Sequence, residues 1–197
     1  MRIFLAGATG VIGVRLIPLL VAGGHTVAGM TRSAARAGML RGLGAEPVVC
    51  DVYDAAALTA VVAAFRPDIV FHQLTDLPDD AADIPQWSGR NRRIRDEGTR
   101  NLLAAAHAAG AGRVIVQSIS WEQPTEEAQA AIGAFERLVL RDGGVVIRYG
   151  QFWGPGTYYP AAPPPRPRIH LDDAARQTVA ALDTPPGLTI VADDRAG

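Results

Sequence analysis

Residues 3–13 read IFLAGATGVIG, an apolar run that breaks into glycines at 7, 10 and 13. The run is a strand, and the helical pattern VIGVRLIPLLVA follows it at 11–22. Three different demands place glycine at such a junction. One glycine turns the chain at positive φ, a second lets a diphosphate approach bare backbone, and a third packs the helix tightly on the strand. The helix N-terminus adds unpaired N–H groups and a partial positive charge that suit phosphates. A tight turn without a ligand would use glycines too, so the triplet by itself is weak and its setting decides.

That setting is a regular alternation. Apolar runs recur at IFLAG 3–7, TVAGM 26–30, PVVC 47–50, DIVFH 68–72, RVIVQS 113–118 and GVVIRY 144–149. They are too continuous for one-sided strands and suit a parallel sheet covered on both faces. Helical spacing fills the intervals at 11–22, 54–65, about 90–109 and about 125–141. In the last of these Ala128, Ile132, Phe135, Leu138 and Val139 share a face, with Glu127, Glu136, Arg137 and Arg141 assigned mostly elsewhere. Pro18 lies inside the first helix, where it removes one backbone donor. Six alternations predict an α/β, Rossmann-type doubly wound parallel sheet with strand order 3-2-1-4-5-6. After Tyr149 the composition changes: 154–168 is proline-rich and irregular, 169–182 gives a short strand and a helix with Asp172 or Asp173 near its start, and LTIVA 188–192 is a last strand. The expected organisation is a dinucleotide-binding domain over 1–150 and a reduced C-terminal segment, 151–197, packed on it.

Composition narrows the function. The chain has 197 residues, 48% of them hydrophobic, and a formal net charge of −1. No global field recruits nucleic acid or an anionic membrane, and no apolar stretch is long enough to span one. Residues 1–6 read as a strand, not as a leader, so a cytoplasmic protein is expected. Cys50 is the single cysteine, and His25, His72, His107 and His170 are scattered, so no metal site is assigned. All 19 basic residues are arginine; there is no lysine.

The choice of dinucleotide is a question of charge. NAD sites usually carry Asp or Glu at the end of the second strand, about 20 residues past the glycines. Here that strand ends in Thr31 and Arg32, with Arg36 one turn on and no carboxylate near in the sequence. A guanidinium matches a 2′-phosphate with forked donors, so NADP(H) is expected. Solvated arginines on a helix surface are the plainer alternative. Asp51, ending the third strand, either meets an adenine amine or caps the following segment.

MRIFLAGATGVIG, VVCDVYD, FHQLTDL, EGTRNLLAAAHAAG, RVIVQSIS, VVIRYGQFWGPGT and HLDDAA occur in this order. Together they resemble the extended and atypical short-chain dehydrogenase/reductases, the group that includes the NAD-dependent epimerase/dehydratases. The resemblance implies coenzyme contacts from Gly7, Thr9, Gly10, Val11, Ile12 and Gly13, with Asp51 and Val52 at the adenine. It places Gln73, Leu74 and Thr75 along the ribose and nicotinamide side, and Ser118 where the family keeps a catalytic Ser or Thr. It also implies a homodimer through the helices after the fourth and fifth strands.

The departures are specific. The family's Tyr-x-x-x-Lys pair, in which the lysine lowers the phenol pKa, has no counterpart in AQAAIGAFERLVL. Arg95 stands near the place of a family asparagine, and only 48 residues follow Tyr149, so a shortened substrate lobe is expected. Ser118 remains to orient a carbonyl, or else bonds backbone at its strand end. Tyr149 supplies a phenol from the opposite wall, or is a packed residue. Trp121 and Trp153 are read as an apolar substrate wall or simple packing. Tyr158 and Tyr159 have no assigned place. RNRRIR, 90–95, is read as a solvated or subunit-facing surface, or as a site for a substrate carboxylate or phosphate. His72 is the histidine nearest the expected coenzyme.

The favoured function is an NADP(H)-dependent oxidoreductase acting on a small carbonyl or alcohol, with Ser118 and Tyr149 as catalytic candidates. Two alternatives share the scaffold: redox-neutral isomerisation, dehydration or cyclisation, and a non-catalytic NADP(H) sensor.

Overall fold

The computed structural model describes residues 1–193. Strand β1, Arg2–Ala6, is buried from Ile3 onward and has parallel neighbours on both sides. Ile3 lies opposite Val27 of β2 (Thr26–Thr31) and opposite Ile69 of β4 (Ile69–His72). Strand β3, Glu46–Val49, pairs outside β2, with Ala28 opposite Glu46. Continuous apolar sequence in β1 and β4 answers to burial on both faces, as the sequence predicts. Strands β5 (Arg113–Ile119), β6 (Val145–Tyr149) and β9 (Gly187–Val191) complete the order β3-β2-β1-β4-β5-β6-β9. The expected six-strand order is present, and β9 adds a seventh strand parallel to β6, Val145 opposite Gly187. Strands β7 (Gln151–Trp153) and β8 (Arg168–His170) form a separate parallel pair; β7 has no counterpart in the sequence reading.

The crossovers are helical. Helix α1 spans Gly13–Ala22 and accommodates Pro18, burying Leu16, Ile17 and Leu20. Helix α2, Ala37–Gly42, is too short to show a helical period and escaped the sequence reading. Helix α3, Ala55–Phe65, begins at Asp54, whose carboxylate accepts the Ala57 N–H at 3.0 Å. The helix expected near 90–109 starts earlier, as α4, Ile84–Arg93. It passes through a π turn at Ile94–Gly98 into α5, Thr99–Ala108. Helix α6, Glu126–Arg141, is capped by Thr125, whose hydroxyl accepts the Ala128 N–H at 3.2 Å. Its buried stripe is Ile132, Phe135, Glu136 and Val139. Glu136 therefore belongs to the inner face, not to the outer one assigned from sequence. Helix α7, Leu171–Ala180, is capped by His170, whose Nδ1 accepts the Asp172 N–H at 3.3 Å.

Residues 1–115 make one compact unit and the chain from Val116 onward a second, so the division falls inside β5. The composition change near residue 150 follows β6 in the second unit. Among the described residues no helix is long and apolar enough to cross a membrane.

Candidate coenzyme site and catalytic residues

The three glycines have separate reasons. Gly7 sits at φ +89°, and a Cβ there would collide with the Gln73 carbonyl. A Cβ on Gly13 would overlap the Gly7 carbonyl oxygen and the backbone of Ala8. Gly10 differs: its Cβ would meet only the Gly7 carbonyl oxygen, at 3.3 Å, and otherwise open space. Packing demands Gly7 and Gly13, whereas the space over Gly10 fits a group that must touch bare backbone. The Gly10 N–H folds back on Gly7 O at 3.0 Å, and the Val14 N–H reaches Gly10 O at 3.1 Å. The N–H groups of Val11, Ile12 and Gly13, at the start of α1, have no acceptor among the described residues. No side chain caps α1 and its first turn holds no acid. A diphosphate fits this cradle on steric and electrostatic grounds.

The end of β2 closes one flank. Thr31 is buried; its hydroxyl lies 3.4 Å from that of Thr9 and accepts the Ser33 N–H at 3.2 Å. Arg36 Nη1 donates to the Thr9 carbonyl at 3.3 Å. Arg32 is half exposed, with Nη2 3.6 Å from Asp76 Oδ1. No carboxylate is near Arg32 in sequence, but one is near in space, and the expectation is corrected there. Asp76 also binds Arg90, which stacks on Trp87 with its guanidinium carbon 3.7 Å from the ring centre. Arg93 pairs with Glu97 at 2.7 Å and lies 4.0 Å over the Tyr53 ring. The arginine run of α4 is thus partly committed inside the protein.

On the other flank Asp51 accepts the Tyr53 N–H at 3.0 Å, while the cap of α3 is Asp54. Val52 is buried, and its carbonyl accepts from Asn101 Nδ2 at 2.9 Å. Asn101 was not singled out from sequence. Beyond β4, the Gln73 N–H donates to Ala6 O at 2.9 Å and Thr75 is exposed. The Leu74 N–H donates to His72 Nδ1 at 3.2 Å, so the proton sits on Nε2, which faces Thr99 Oγ1 at 3.0 Å. Burial, then the charge of Arg95, lowers the His72 pKa to about 4. His72 is a neutral structural histidine at physiological pH.

In the second unit Ser118 is buried, and its hydroxyl donates to Glu136 Oε1 at 2.6 Å, not to backbone. Arg148 holds the same carboxylate through Nε at 2.8 Å and Nη2 at 2.5 Å. Tyr149 is buried with its hydroxyl 2.6 Å from Thr178 Oγ1. Thr178 gives its own proton to the Ala174 carbonyl at 2.7 Å, so the phenol is the donor. The Tyr149 ring packs on Phe152, centroids 5.0 Å apart. Trp153 meets His170 edge-on at 4.6 Å, and Trp121 is half-buried. Tyr159 donates to Gln151 Oε1 at 3.3 Å. Glu136 and Arg148 were missed as a pair. Their signals were a glutamate in the 132, 135, 136, 139 stripe and an arginine inside the apolar run VVIRY.

A glycine turn opening the helix after β1, in a parallel sheet of order 3-2-1-4-5-6, defines a Rossmann-type dinucleotide-binding protein. Residues 7–142 match the NAD(P)H-binding family model. The chain belongs to that family. It is 36% identical over 225 residues to a 3-diazoavenalumate denitrifying reductase of a Streptomyces species, covering 93% of this chain and 73% of that one. A 4-hydroxy-2-methyl-3-oxo-4-farnesyl-3,4-dihydroquinoline-1-oxide ketoreductase of Stigmatella aurantiaca is 29% identical, over 78% of this chain and 51% of its own length. The fold is similar to UDP-glucose 4-epimerase of Thermus thermophilus in complex with NAD, with a TM-score of 0.78 and 20% identity, over 99% of this chain and 78% of the epimerase.

Proposed function

We propose that the chain is an NADP(H)-dependent reductase. The observation that carries the coenzyme choice is the pair of arginines after β2, Arg36 bonded to Thr9 of the glycine turn and Arg32 half exposed beside it. Gly10 and the N–H groups of Val11, Ile12 and Gly13 would hold the diphosphate, and Arg32 and Arg36 the ribose phosphate. Thr31 lines that corner. Asp51 and Val52 would take the adenine, and Gln73, Leu74 and Thr75 the ribose and nicotinamide side. When bound, the coenzyme supplies hydride to substrate.

The chain's own groups then decide what substrate is served. Ser118 directs its proton at Glu136, which leaves its oxygen lone pairs to accept from and orient a substrate group. The Tyr149 phenol directs its proton at Thr178. The names of two relatives, a reductase and a ketoreductase, support net reduction. A carbonyl substrate would then draw its proton from water.

One observation favours a second, narrower reading: the protons of both Ser118 and Tyr149 point at internal partners. A substrate that takes hydride without protonation suits such a site. A diazonium group is one: the hydride pair forms the new C–H bond, and the C–N bonding pair leaves with N2. The Streptomyces relative is named for denitrifying a diazo compound.

Calorimetry with NADPH and NADH tests the coenzyme. NADPH should bind about tenfold tighter or better, and Arg32→Ala with Arg36→Ala should abolish the difference. Equal or tighter NADH binding overturns the assignment. With NADPH present, absorbance loss above the no-protein rate on a carbonyl panel supports the broad reading. The same loss with an arenediazonium salt, accompanied by N2, supports the narrow one. Silence on both rejects the reductase.

A further inference from the structure

Asp76 is an unusual residue to find in the loop after β4. Its side chain is only 7% exposed, yet it faces two guanidinium groups from different elements. Arg90 grips it with two bonds, Nε to Oδ2 at 3.1 Å and Nη2 to Oδ1 at 3.3 Å, and is itself stacked on Trp87. The Asp76 N–H donates to Asn91 Oδ1 at 3.2 Å, which ties the loop to α4. Arg32 is the loose partner: its Nη2 stands 3.6 Å away, beyond direct hydrogen-bond range, and its side chain is half exposed.

Topology gives this contact its meaning. Arg32 is the first residue past β2 and Asp76 lies four past β4, and β2 and β4 are the two neighbours of β1. The Arg32–Asp76 contact therefore spans the C-terminal end of β1, where the glycine turn begins. We infer that Asp76 is an internal counter-anion for Arg32 that the 2′-phosphate of the coenzyme displaces, making Asp76 a determinant of coenzyme selectivity. The inference rests on Arg32 being a 2′-phosphate partner. A dianion outcompetes a monoanion held at 3.6 Å. Arg90 keeps the buried carboxylate paired after Arg32 has left, so the exchange uncovers no isolated buried charge. A coenzyme without the 2′-phosphate offers Arg32 nothing to exchange for.

Two variants of the full chain move affinity in opposite directions. Asp76→Asn keeps the shape and one acceptor oxygen for Arg90 but removes the competing charge. Arg90→Gln leaves the carboxylate with Arg32 as its remaining guanidinium in this cluster. The probes are 2′,5′-ADP and 5′-AMP, measured by calorimetry, with thermal melting to establish that each variant is folded. Asp76→Asn should bind 2′,5′-ADP about three- to tenfold tighter, with 5′-AMP changed by less than about twofold. Arg90→Gln should bind 2′,5′-ADP about threefold weaker or worse. If the parent protein prefers 2′,5′-ADP but Asp76→Asn binds it no tighter, or Arg90→Gln no weaker, the counter-anion role is wrong while the coenzyme assignment stands. If the parent protein binds both probes equally, the coenzyme assignment itself has failed.

Discussion

Ser118 gives its hydroxyl proton to Glu136 across 2.6 Å, and Arg148 grips the same carboxylate with two donors. The carboxylate is 4% exposed and the guanidinium 35%, so one end of this pair is dry and the other reaches water. Breaking a buried pair from one side leaves a charge without its partner, whereas deleting the serine hydroxyl removes one charge-assisted bond. Ser118→Ala should cost about 1–2 kcal/mol of stability. Glu136→Gln should cost about 2–3 kcal/mol, discounted for the wet end of Arg148. A double-mutant cycle by urea unfolding should give a coupling of about 1 kcal/mol or more. Strictly additive losses would show that the hydroxyl does not help to hold the carboxylate.

Tyr149 presents a different chain of bonds. Its phenol donates to Thr178, and Thr178 donates to the Ala174 carbonyl, so this path ends on the backbone of α7. A proton on such a path is structural. Tyr149→Phe should lower stability by about 1 kcal/mol and leave kcat within about threefold, because no catalytic proton transfer of 10²–10⁴-fold effect is lost. Steady-state kinetics on the first substrate found to consume NADPH decides. A hundredfold fall in kcat with unchanged KM would restore the phenol to the catalytic machinery.

The glycine turn separates packing from ligand contact. A Cβ on Gly13 overlaps the backbone of Gly7 and Ala8, whereas one on Gly10 meets only the Gly7 carbonyl oxygen, at 3.3 Å. Gly13→Ala must move the start of α1 away from β1 and should lower the melting temperature by several degrees, a shift of about 1–2 kcal/mol. Gly10→Ala should melt within about 2 °C of the parent yet bind the coenzyme at least about tenfold more weakly. Thermal melting and calorimetry on the two variants check the contrast. Unaltered coenzyme affinity in Gly10→Ala would remove the cradle assignment.

What the sequence discloses and what it hides divide along one physical line. Continuous apolar runs locate six of the strands, most plainly β1 and β4, because a strand buried on both faces cannot hide its composition. Strand β3, at the sheet edge, is legible from its apolar run although it is not buried. Helix α6 is visible for a similar reason, its stripe recurring at 132, 135 and 139. Glycines 7, 10 and 13 are legible because a special backbone demands a special residue. Asp76 lies in an aperiodic loop, and its partners Arg32 and Arg90 stand 44 and 14 residues away, so no local pattern announces them. Glu136 misleads for the opposite reason: its polarity argues for the outer face, and partners distant in sequence, Arg148 on the sixth strand and Ser118 on the fifth, make its burial tolerable. Asn101 bonding the Val52 carbonyl is likewise a pairing across 49 residues. Long-range polar pairs are set by tertiary geometry, which periodicity does not encode.

His72 makes the pairing of fold and charge measurable. It lies at the end of β4, 1% exposed, with Nδ1 accepting the Leu74 N–H and Nε2 against Thr99. Burial first, and the Arg95 charge second, lower its pKa from 6.5 to about 4. The neutral form is the one the fold holds, so the unfolded chain binds a proton that the folded chain refuses. Its contribution to stability is complete above pH 6.5, falls as pH drops, and is gone by about pH 4. The difference corresponds to about 3 kcal/mol. His72→Asn keeps an acceptor for the Leu74 N–H but cannot titrate. Urea unfolding of both proteins from pH 7.5 to 4 should show the parent losing about 3 kcal/mol more than the variant across that window. A constant difference between the two curves would mean that His72 takes up its proton in the folded protein as readily as in the unfolded chain.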